Sequence, residues 1–226
     1  MAKHKLKKFA EVSSFDNCFF LSFEDSQKEG LHLKGKWHST YFKNNNPIVL
    51  ELGCGKGEYT IGLAKRFPDK NFIGVDIKGN RIWTGAKIAV QDNMQNVAFI
   101  RTRIDFIEAC FAKNEVTEIW ITFPDPQPQK TRERKRLTNT MFIERYKKIL
   151  VEDGIINLKT DNEPFYDYSK WVATENNFEI LDSTNDLYSF DKPRDEALTN
   201  IKTYYENLFS KKGFKICYLR YKINTV

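Results

Sequence analysis

A glycine-rich turn between two apolar segments constrains the fold of this sequence more than any other feature. Residues 49–57 read VLELGCGKG, and residues 72–76, about one βαβ unit later, read FIGVD. Glycine is needed where the backbone takes a positive φ, or where a ligand comes closer than a Cβ atom allows. A carboxylate at the end of the second strand, here Asp76, suits the hydroxyls of a ribose. The pattern therefore predicts a βαβ unit that binds a nucleoside cofactor.

The spacing of the glycines distinguishes between two cofactors. A dinucleotide fingerprint, G-x-G-x-x-G, would place its third glycine at position 58, which is Glu58. The chain instead has Glu51-x-Gly53-x-Gly55-x-Gly57, the form associated with Rossmann-like methyltransferases that use S-adenosylmethionine. S-adenosylmethionine is therefore the predicted cofactor. A nicotinamide-dependent oxidoreductase is the alternative, which cofactor-binding calorimetry would distinguish.

Composition indicates a globular protein without a structural metal. Of 226 residues, 41% are hydrophobic and 29% are charged, which is ordinary for a globular chain. The four cysteines form no C-x-x-C pair and the three histidines complete no zinc pattern, so we expect no metal. No run reaches the roughly 18 apolar residues of a membrane span, and the basic start lacks the apolar part of a signal peptide. We therefore expect a cytoplasmic protein with no membrane partner.

The charge balance suits a polyanionic partner without requiring one. The net charge is +6 and the pI is about 9.0. Residues 130–136 read KTRERKR, with five cations in seven residues. Such a run is either a solvated face or a contact with a phosphate backbone.

Apolar runs that alternate with helical periodicity predict an α/β fold with helices on both faces of the sheet. We expect a Rossmann-like class I methyltransferase with a seven-stranded, mostly parallel sheet, whose last two strands form a hairpin. The predicted strands are 48–52, 72–76, 97–101, 118–123, 155–160, 178–182 and 214–221. The predicted helices include 58–67, 138–150 and 197–209. We divide the chain into a basic N-terminal extension, residues 1–44, packed partly on the domain and with a mobile start, and an S-adenosylmethionine-dependent methyltransferase domain, residues 45–226.

Acidic residues follow five successive predicted strands. In open α/β sheets, ligands bind beyond the carboxyl ends of the strands. The five acids are Glu51, Asp76, Asp105, Asp125 and Asp161. A single one could equally be a helix cap or an Asx turn, but five along one edge favour a ligand site. Their order along the sheet suits the amino-acid end of the cofactor for Glu51, its ribose for Asp76 and its adenine for Asp105.

The segment FPDPQP, residues 123–128, places Asp125 in a stiff loop at a strand end. Three prolines in five residues restrict the backbone and remove its donors. A proline-rich turn that leaves the sheet is the simpler interpretation, but the neighbouring cofactor motif favours a catalytic loop. The loop is similar to the Asn/Asp-Pro-Pro-aromatic motif of amino-group methyltransferases. Its aromatic residue is missing here, which argues against an exocyclic amine as the acceptor.

Five segments in this order resemble the bacterial tRNA (guanine-N7)-methyltransferase family, over nearly the whole chain. They are GKW at 35–37, ELGCGKG at 51–57, FPDP at 123–126, LKTDN at 158–162 and TYYE at 203–206. The resemblance implies methyl transfer from S-adenosylmethionine to a guanine at position 46, in the variable loop of tRNA. Neither a monomer nor a homodimer is excluded.

The resemblance also implies the site residues. Asp125 would be catalytic and would contact the cofactor together with Glu51, Gly53, Gly55, Gly57, Asp76 and Asp105. The implied substrate contacts are Gln129, Lys130, Asp161, Thr203, Tyr204, Tyr205 and Glu206. The family usually reads Asp-Pro-Trp-Pro-Lys-Lys, whereas this chain has Gln127 for the tryptophan and Gln129 for the first lysine. Lys130 is expected to supply the charge that Gln129 lacks.

The chemistry of guanine N7 matches what the sequence lacks. N7 has an in-plane lone pair and no proton, so its methylation needs no general base. The task is to align the base and to stabilise its developing positive charge. Asp125 and Asp161 are the predicted groups, accepting hydrogen bonds from N1–H and the amino group. Another RNA base, a small-molecule acceptor and an RNA-binding module without turnover are the alternatives.

Overall fold

The computed structural model describes residues 2–189 and 196–224, whose strands and helices alternate along the chain. The strands are β1 (Cys18–Phe20), β2 (Ile48–Leu52), β3 (Asn71–Asp76), β4 (Val97–Arg101), β5 (Val116–Thr122), β6 (Leu150–Thr160), β7 (Glu179–Thr184) and β8 (Cys217–Ile223). The α-helices are α1 (Ala2–Val12), α2 (Phe23–Ser26), α3 (Glu58–Arg66), α4 (Gly79–Gln91), α5 (Thr140–Lys147), α6 (Glu163–Glu175), α7 (Glu196–Asn200) and α8 (Tyr204–Lys211). Two 3₁₀ segments, Ile104–Ala109 and Lys130–Lys135, and one π-helical segment, Trp37–Phe42, complete the described elements.

All eight described strands form one sheet, in the order β1-β4-β3-β2-β5-β6-β8-β7. The first six strands in this order are parallel, and β8 runs antiparallel to both β6 and β7. The predicted Rossmann-like class and the terminal hairpin are therefore confirmed, whereas the predicted count of seven strands is one too low. Because β2, β3, β5 and β6 are parallel neighbours, their carboxyl ends meet at one edge of the sheet.

The additional strand comes from the segment that we expected to be an extension. Strand β1 pairs with β4, and Trp37 is fully buried, with its Nε1–H donating to the Cys110 carbonyl at 3.0 Å. The Glu115 carboxylate accepts the backbone N–H of Gly35 at 2.9 Å and of Trp37 at 3.2 Å. The boundary at residue 45 thus divides one sheet and one core. With only three residues, β1 is too short to show a periodicity in the sequence. Its pairing with the partner strand, rather than its local sequence, fixes its conformation.

The start of the chain is helical where it is described. Helix α1 lies against α4, with Val12 buried between them. The Lys8 ammonium sits 4.1 Å from the centre of the Trp83 ring on α4, a cation–π contact. Lys8 and Val12 thus pack on the domain while Lys7, Phe9 and Ala10 are exposed, and the expected mobile start stays a prediction.

The predicted helix over 197–209 is two helices. Helix α7 ends at Asn200, and Thr203 caps α8 by accepting the N–H of Glu206 at 3.1 Å. Between them, Ile201 packs on α3 at Gly62, where an added Cβ would lie 2.5 Å from the Ile201 Cγ2. The packing of Ile201 between the two helices separates them, and the threonine cap begins α8.

Within the described ranges, every helix is too short or too polar to cross a bilayer.

A pair of tryptophan substitutions tests whether the N-terminal segment belongs to the cooperative fold. Trp37→Ala should lower the free energy of unfolding by about 3–5 kcal/mol, because it opens a cavity and leaves a carbonyl unpaired. Trp171→Ala, at a side chain that is 55% exposed, should change it by less than about 1 kcal/mol. Urea unfolding followed by circular dichroism measures both, and equal small losses would show that the segment folds independently.

Candidate active site

The first two glycines of the turn after β2 face open space. Gly53 has a φ of 76° and Gly55 a φ of 55°, and an added Cβ on either would find no heavy atom within 4 Å. The N–H of Gly53 donates to the Val75 carbonyl at 2.8 Å, which holds the turn against β3. A bare backbone beside open space, at the carboxyl end of two parallel strands, fits the close approach of a cofactor.

The third glycine of the motif has a different role. Gly57 also has a positive φ, 72°, but an added Cβ would lie 2.7 Å from the Phe99 ring. Gly74 on β3 and Gly85 on α4 surround the same ring, with corresponding distances of 2.8 Å and 2.7 Å. Gly57 therefore allows the turn, the sheet and α4 to pack closely, and it does not face the open space beside Gly53 and Gly55.

Asp76, at the end of β3, is held by backbone donors. Its Oδ2 accepts the N–H of Gly55 at 2.9 Å, and its Oδ1 accepts the N–H of Lys78 at 2.7 Å. These bonds fix the carboxylate beside the glycine turn. Each oxygen retains a lone pair, so the arrangement also fits the hydroxyls of a ribose.

Glu51, at the penultimate position of β2, is buried and links α3 to β5. Its Oε2 accepts both the N–H of Thr60, at 2.8 Å, and the Thr60 hydroxyl, and its Oε1 accepts the Thr122 hydroxyl at 2.6 Å. Burial raises the pKa of Glu51 to about 7, although these hydrogen bonds lower it. Thr60 and Thr122 lie outside the glycine motif and approach Glu51 only through the fold, so no sequence signal identifies them.

Asp105 lies in the connection after β4 rather than at the end of the strand. It lies in the 3₁₀ segment Ile104–Ala109 after β4, where the Arg103 Nε–H donates to its Oδ2 at 3.3 Å. Its side chain lines a surface cavity of about 620 Å³, bounded also by residues of α2 and α5. The N–H of Thr102 donates to the Asp76 backbone carbonyl at 3.2 Å, which places the start of this connection next to Asp76.

The loop after β5 presents Asp125 to solvent. Its carboxylate accepts the N–H of Gln127 at 3.1 Å, and two residues of the loop, Phe123 and Gln127, take positive φ values of 48° and 46°. The N–H of Phe123 donates to the Lys159 carbonyl on β6 at 2.8 Å, which anchors the start of the loop. Left-handed backbone at residues other than glycine costs about 1–3 kcal/mol and is concentrated at functional sites.

The basic run forms the 3₁₀ segment Lys130–Lys135 directly after this loop. Gln129 stands at its N-cap, and four of its cations are exposed: Lys130, Arg132, Arg134 and Lys135. The fifth, Arg136, lies 4.2 Å from the centre of the Tyr168 ring on α6 and donates to the Gln127 carbonyl at 3.3 Å. Arg136 thus fixes the run against the domain while the other cations face solvent.

Asp161 and the segment 203–206 lie at the same edge of the sheet. Asp161 follows β6 and is partly buried, which raises its pKa. Tyr204 and Tyr205 are 55% and 44% exposed, and the N–H of Tyr204 donates to the Glu58 Oε2 at 2.8 Å. The Lys56 ammonium sits 5.0 Å from the Tyr204 ring centre, so the tyrosines border the glycine turn.

Two predicted substrate residues of this segment are buried. Thr203 is the cap of α8, and Glu206 is fully buried, with its Oε1 2.7 Å from the Lys159 ammonium. In this structure Glu206 therefore meets a lysine of β6 rather than solvent, which differs from the substrate contact that the family resemblance implies. Lys159 was not singled out from the sequence, although a lysine within an apolar strand is unusual and signals a buried polar contact.

The described residues contain no cluster of three or more His, Cys, Asp or Glu side chains able to hold a metal ion. The residues at this edge fit a nucleoside cofactor instead: open backbone at Gly53 and Gly55, and a fixed carboxylate at Asp76.

Comparisons with known proteins give the same class. Residues 45–219 match a family model described as "Putative methyltransferase". A tRNA (guanine-N(7)-)-methyltransferase of Christiangramia forsetii is 51% identical over 222 residues, covering 98% of this chain and 99% of that protein. A protein of the same name from Bacteroides fragilis is 50% identical over 221 residues, 98% of this chain and 86% of the relative. The 16S rRNA methyltransferase KamB aligns with a TM-score of 0.62 at 13% identity, over 82% of this chain and 92% of that structure.

The likeness to KamB shows the fold alone. The fold, the family match and the glycine turn together define a class I methyltransferase that uses S-adenosylmethionine. Within this class the chain belongs to the tRNA (guanine-N(7)-)-methyltransferase family, as the two relatives that it matches over 98% of its length show. The resemblance inferred from five sequence segments is thereby confirmed, as are the enzyme class and the cofactor.

The pKa of Glu51 predicts a pH-dependent stability. Because about 7 in the folded chain exceeds the ordinary 4.5, the folded state binds this proton more tightly than the unfolded state. The stability that Glu51 contributes is complete below pH 4.5 and is lost as the pH rises through 7. Relative to Glu51→Gln, the cofactor-free protein should lose about 3 kcal/mol between pH 4.5 and 7.5.

Denaturant unfolding at a series of pH values measures this difference. Glu175→Gln, at an exposed acid of α6, is the matched control and should show no such pH dependence relative to the unsubstituted protein. A Glu51→Gln variant whose stability runs parallel to that of the unsubstituted protein would show that Glu51 titrates normally.

Proposed function

We propose that this chain transfers the methyl group of S-adenosylmethionine to N7 of the guanine at position 46, in the variable loop of tRNA. One juxtaposition carries the proposal. The Asp125 loop follows β5, which is the neighbour of β2 in the sheet, so the loop starts beside the glycine turn. The chain then continues directly into the exposed basic segment Lys130–Lys135. A cofactor edge, a candidate catalytic carboxylate and a surface for phosphates thus follow one another in space.

The names of the relatives support the reaction. Proteins of Christiangramia forsetii and Bacteroides fragilis that are about half identical to this chain are named tRNA (guanine-N(7)-)-methyltransferases. The match spans the glycine turn, the Asp125 loop and the tyrosine segment alike, so the proposal extends the whole reaction to this chain.

For the cofactor we propose contacts from Gly53, Gly55 and Asp76, with Glu51 and Asp105 toward its amino-acid and adenine ends. When bound, S-adenosylmethionine supplies a methyl group activated by a sulfonium. Glu51 is buried among threonine hydroxyls, so a cationic amino group nearby would favour its charged form. Asp105 lines a cavity in which a carboxylate can accept from an exocyclic amine.

In the proposed reaction the N7 lone pair forms the new bond to the methyl carbon, while the carbon–sulfur bond breaks and its electrons remain on sulfur. No proton moves, so the chain needs only to hold the base and stabilise the charge that it gains. We assign these tasks to Asp125 and Asp161. Asp125 is exposed on a constrained loop, whereas Asp161 is partly buried, which strengthens its hydrogen bonds to guanine donors.

For tRNA binding we propose Gln129 and Lys130 at the start of the basic segment and the tyrosines Tyr204 and Tyr205. The exposed cation suits a phosphate, and exposed aromatic rings suit the faces of unpaired bases. Thr203 and Glu206 contribute indirectly, by shaping α8. We also propose that the protein is cytoplasmic, where a tRNA substrate is found. For its oligomeric state, both a monomer and a homodimer remain predictions.

The reaction is tested by supplying labelled S-adenosylmethionine and unmodified tRNA transcripts, then mapping the methylated nucleotide. We expect 7-methylguanosine at position 46, and no label when that guanine is replaced by adenine. Label on another base, or on a small molecule only, would contradict the proposed acceptor while leaving the methyltransferase class intact.

Asp125→Ala should lower kcat at least 100-fold while changing the dissociation constant of S-adenosylmethionine by less than about threefold, because one charge partner of the base is lost. Single-turnover kinetics and calorimetry measure the two quantities. Asp69→Asn is the control, since Asp69 is exposed just before β3, at the opposite edge of the sheet. Equal losses of turnover and of cofactor affinity would make Asp125 a cofactor residue only.

Lys130→Gln should weaken tRNA binding and reduce the slope of log Kd against log salt by about 0.7 to 0.9, the effect of one lost phosphate contact. Lys113→Gln, at an exposed lysine just before β5 and far from the site edge, should leave both quantities unchanged. Filter binding at several salt concentrations provides the measurement. An unchanged slope for Lys130→Gln would remove this residue from the proposed RNA surface.

A further inference from the structure

Lys159 is a charged residue inside the core of the sheet. It is the penultimate residue of β6, and neither its side chain nor that of Glu206 is exposed to solvent. Its ammonium lies 2.7 Å from the Glu206 Oε1 on α8 and donates to the Leu198 carbonyl on α7 at 2.8 Å. The Tyr59 ring of α3 covers it, with the ring centre 5.1 Å away.

Stability alone does not explain this pair. Burial lowers the pKa of Lys159, and the nearby Glu206 carboxylate opposes that shift. The attraction between the two charges must also offset the hydration that both lose on burial. Replacing a buried ion pair by apolar side chains of the same volume commonly leaves a protein as stable as before, or makes it more stable. What an ion pair adds is direction, because the ammonium contacts both the Leu198 carbonyl of α7 and the Glu206 carboxylate of α8.

The same residue also holds the catalytic loop. The Lys159 backbone carbonyl accepts the N–H of Phe123, the first residue after β5 and the start of the loop that carries Asp125. On the other side, the Tyr188 hydroxyl donates to the Glu206 Oε1 at 2.6 Å and ties the connection after β7 to the same carboxylate. Main chain and side chain of one residue thus reach both the Asp125 loop and α8.

We infer that Lys159 is a positioning residue for the tRNA substrate, which aligns Tyr204 and Tyr205 with the Asp125 loop through its ion pair with Glu206. This inference rests on the proposed function. Glu206 acts here as the buried anchor of α8, and the two exposed tyrosines that precede it are the groups available to RNA.

The cofactor turn does not depend on this anchor. Gly53 is bonded to Val75, and Gly55 to Asp76, so β3 holds the turn whatever the position of α8. Loss of the ion pair should therefore act on tRNA and leave the cofactor affinity nearly unchanged. A general loss of stability would not make this distinction.

The test is a double variant, Lys159→Met with Glu206→Gln, which removes both charges and nearly preserves volume. We expect the KM for tRNA to rise at least tenfold and the Kd of S-adenosylmethionine to change less than twofold. The matched control is Asn157→Leu. Asn157 is buried two residues earlier on the same face of β6 and bonds to Glu118 at 2.8 Å and Tyr218 at 2.7 Å.

The control should lower the unfolding midpoint without changing the KM for tRNA. An unchanged KM in the double variant, or an equal rise in the control, would overturn the inference. If the double variant does not fold, Tyr188→Phe removes only the hydroxyl that donates to Glu206, and its KM should rise several-fold; an unchanged KM would again overturn it.

The proposed reaction and the positioning role can fail separately. If the unsubstituted protein transfers no methyl group to tRNA, the proposed function fails, and hydrogen exchange at the Tyr204 and Tyr205 amides then tests the anchor. We expect faster exchange in Tyr188→Phe than in the unsubstituted protein, and equal exchange would show that the ion pair does not position this segment.

Discussion

The close packing of Phe99 among three glycines is the constraint on which the cofactor edge depends. Its ring occupies the space that a Cβ would take on Gly57, Gly74 or Gly85, so the turn, β3 and α4 all pack directly against this ring. Because protein interiors leave little room for an added methyl group, these contacts fix the turn in position. Gly53 and Gly55 can then face open space with a positive φ, which a mobile loop would not maintain.

The acids at the strand ends are chemically unlike one another, although the sequence presents them as a series. Glu51 is buried and its pKa is raised to about 7, while each oxygen of Asp76 accepts one backbone N–H. Asp125 is exposed on a constrained loop and Asp161 is partly buried. Carboxylates along one edge of the sheet thus differ in character, because desolvation and hydrogen bonding differ at each strand end.

The tyrosine segment and the basic segment rest on supports that are distant in sequence. The tyrosine segment rests on α3 through Glu58 and on β6 through the Lys159–Glu206 pair, while the basic segment rests on α6 through Arg136 and Tyr168. Each support joins a connecting segment to a helix or strand of the domain. These supports hold both segments against the domain.

The sequence by itself determined the Rossmann-like class, the glycine turn, the strand-end acids and the family, because these depend on local backbone requirements and on periodicity. It did not determine strand β1, the burial of Trp37 or the break between α7 and α8, since each depends on a partner far along the chain. Only the tertiary structure separated Gly57 from Gly53 and Gly55, and turned Glu206 inward to Lys159. A motif specifies residue types, whereas burial and the neighbouring elements decide which of those residues meet a ligand.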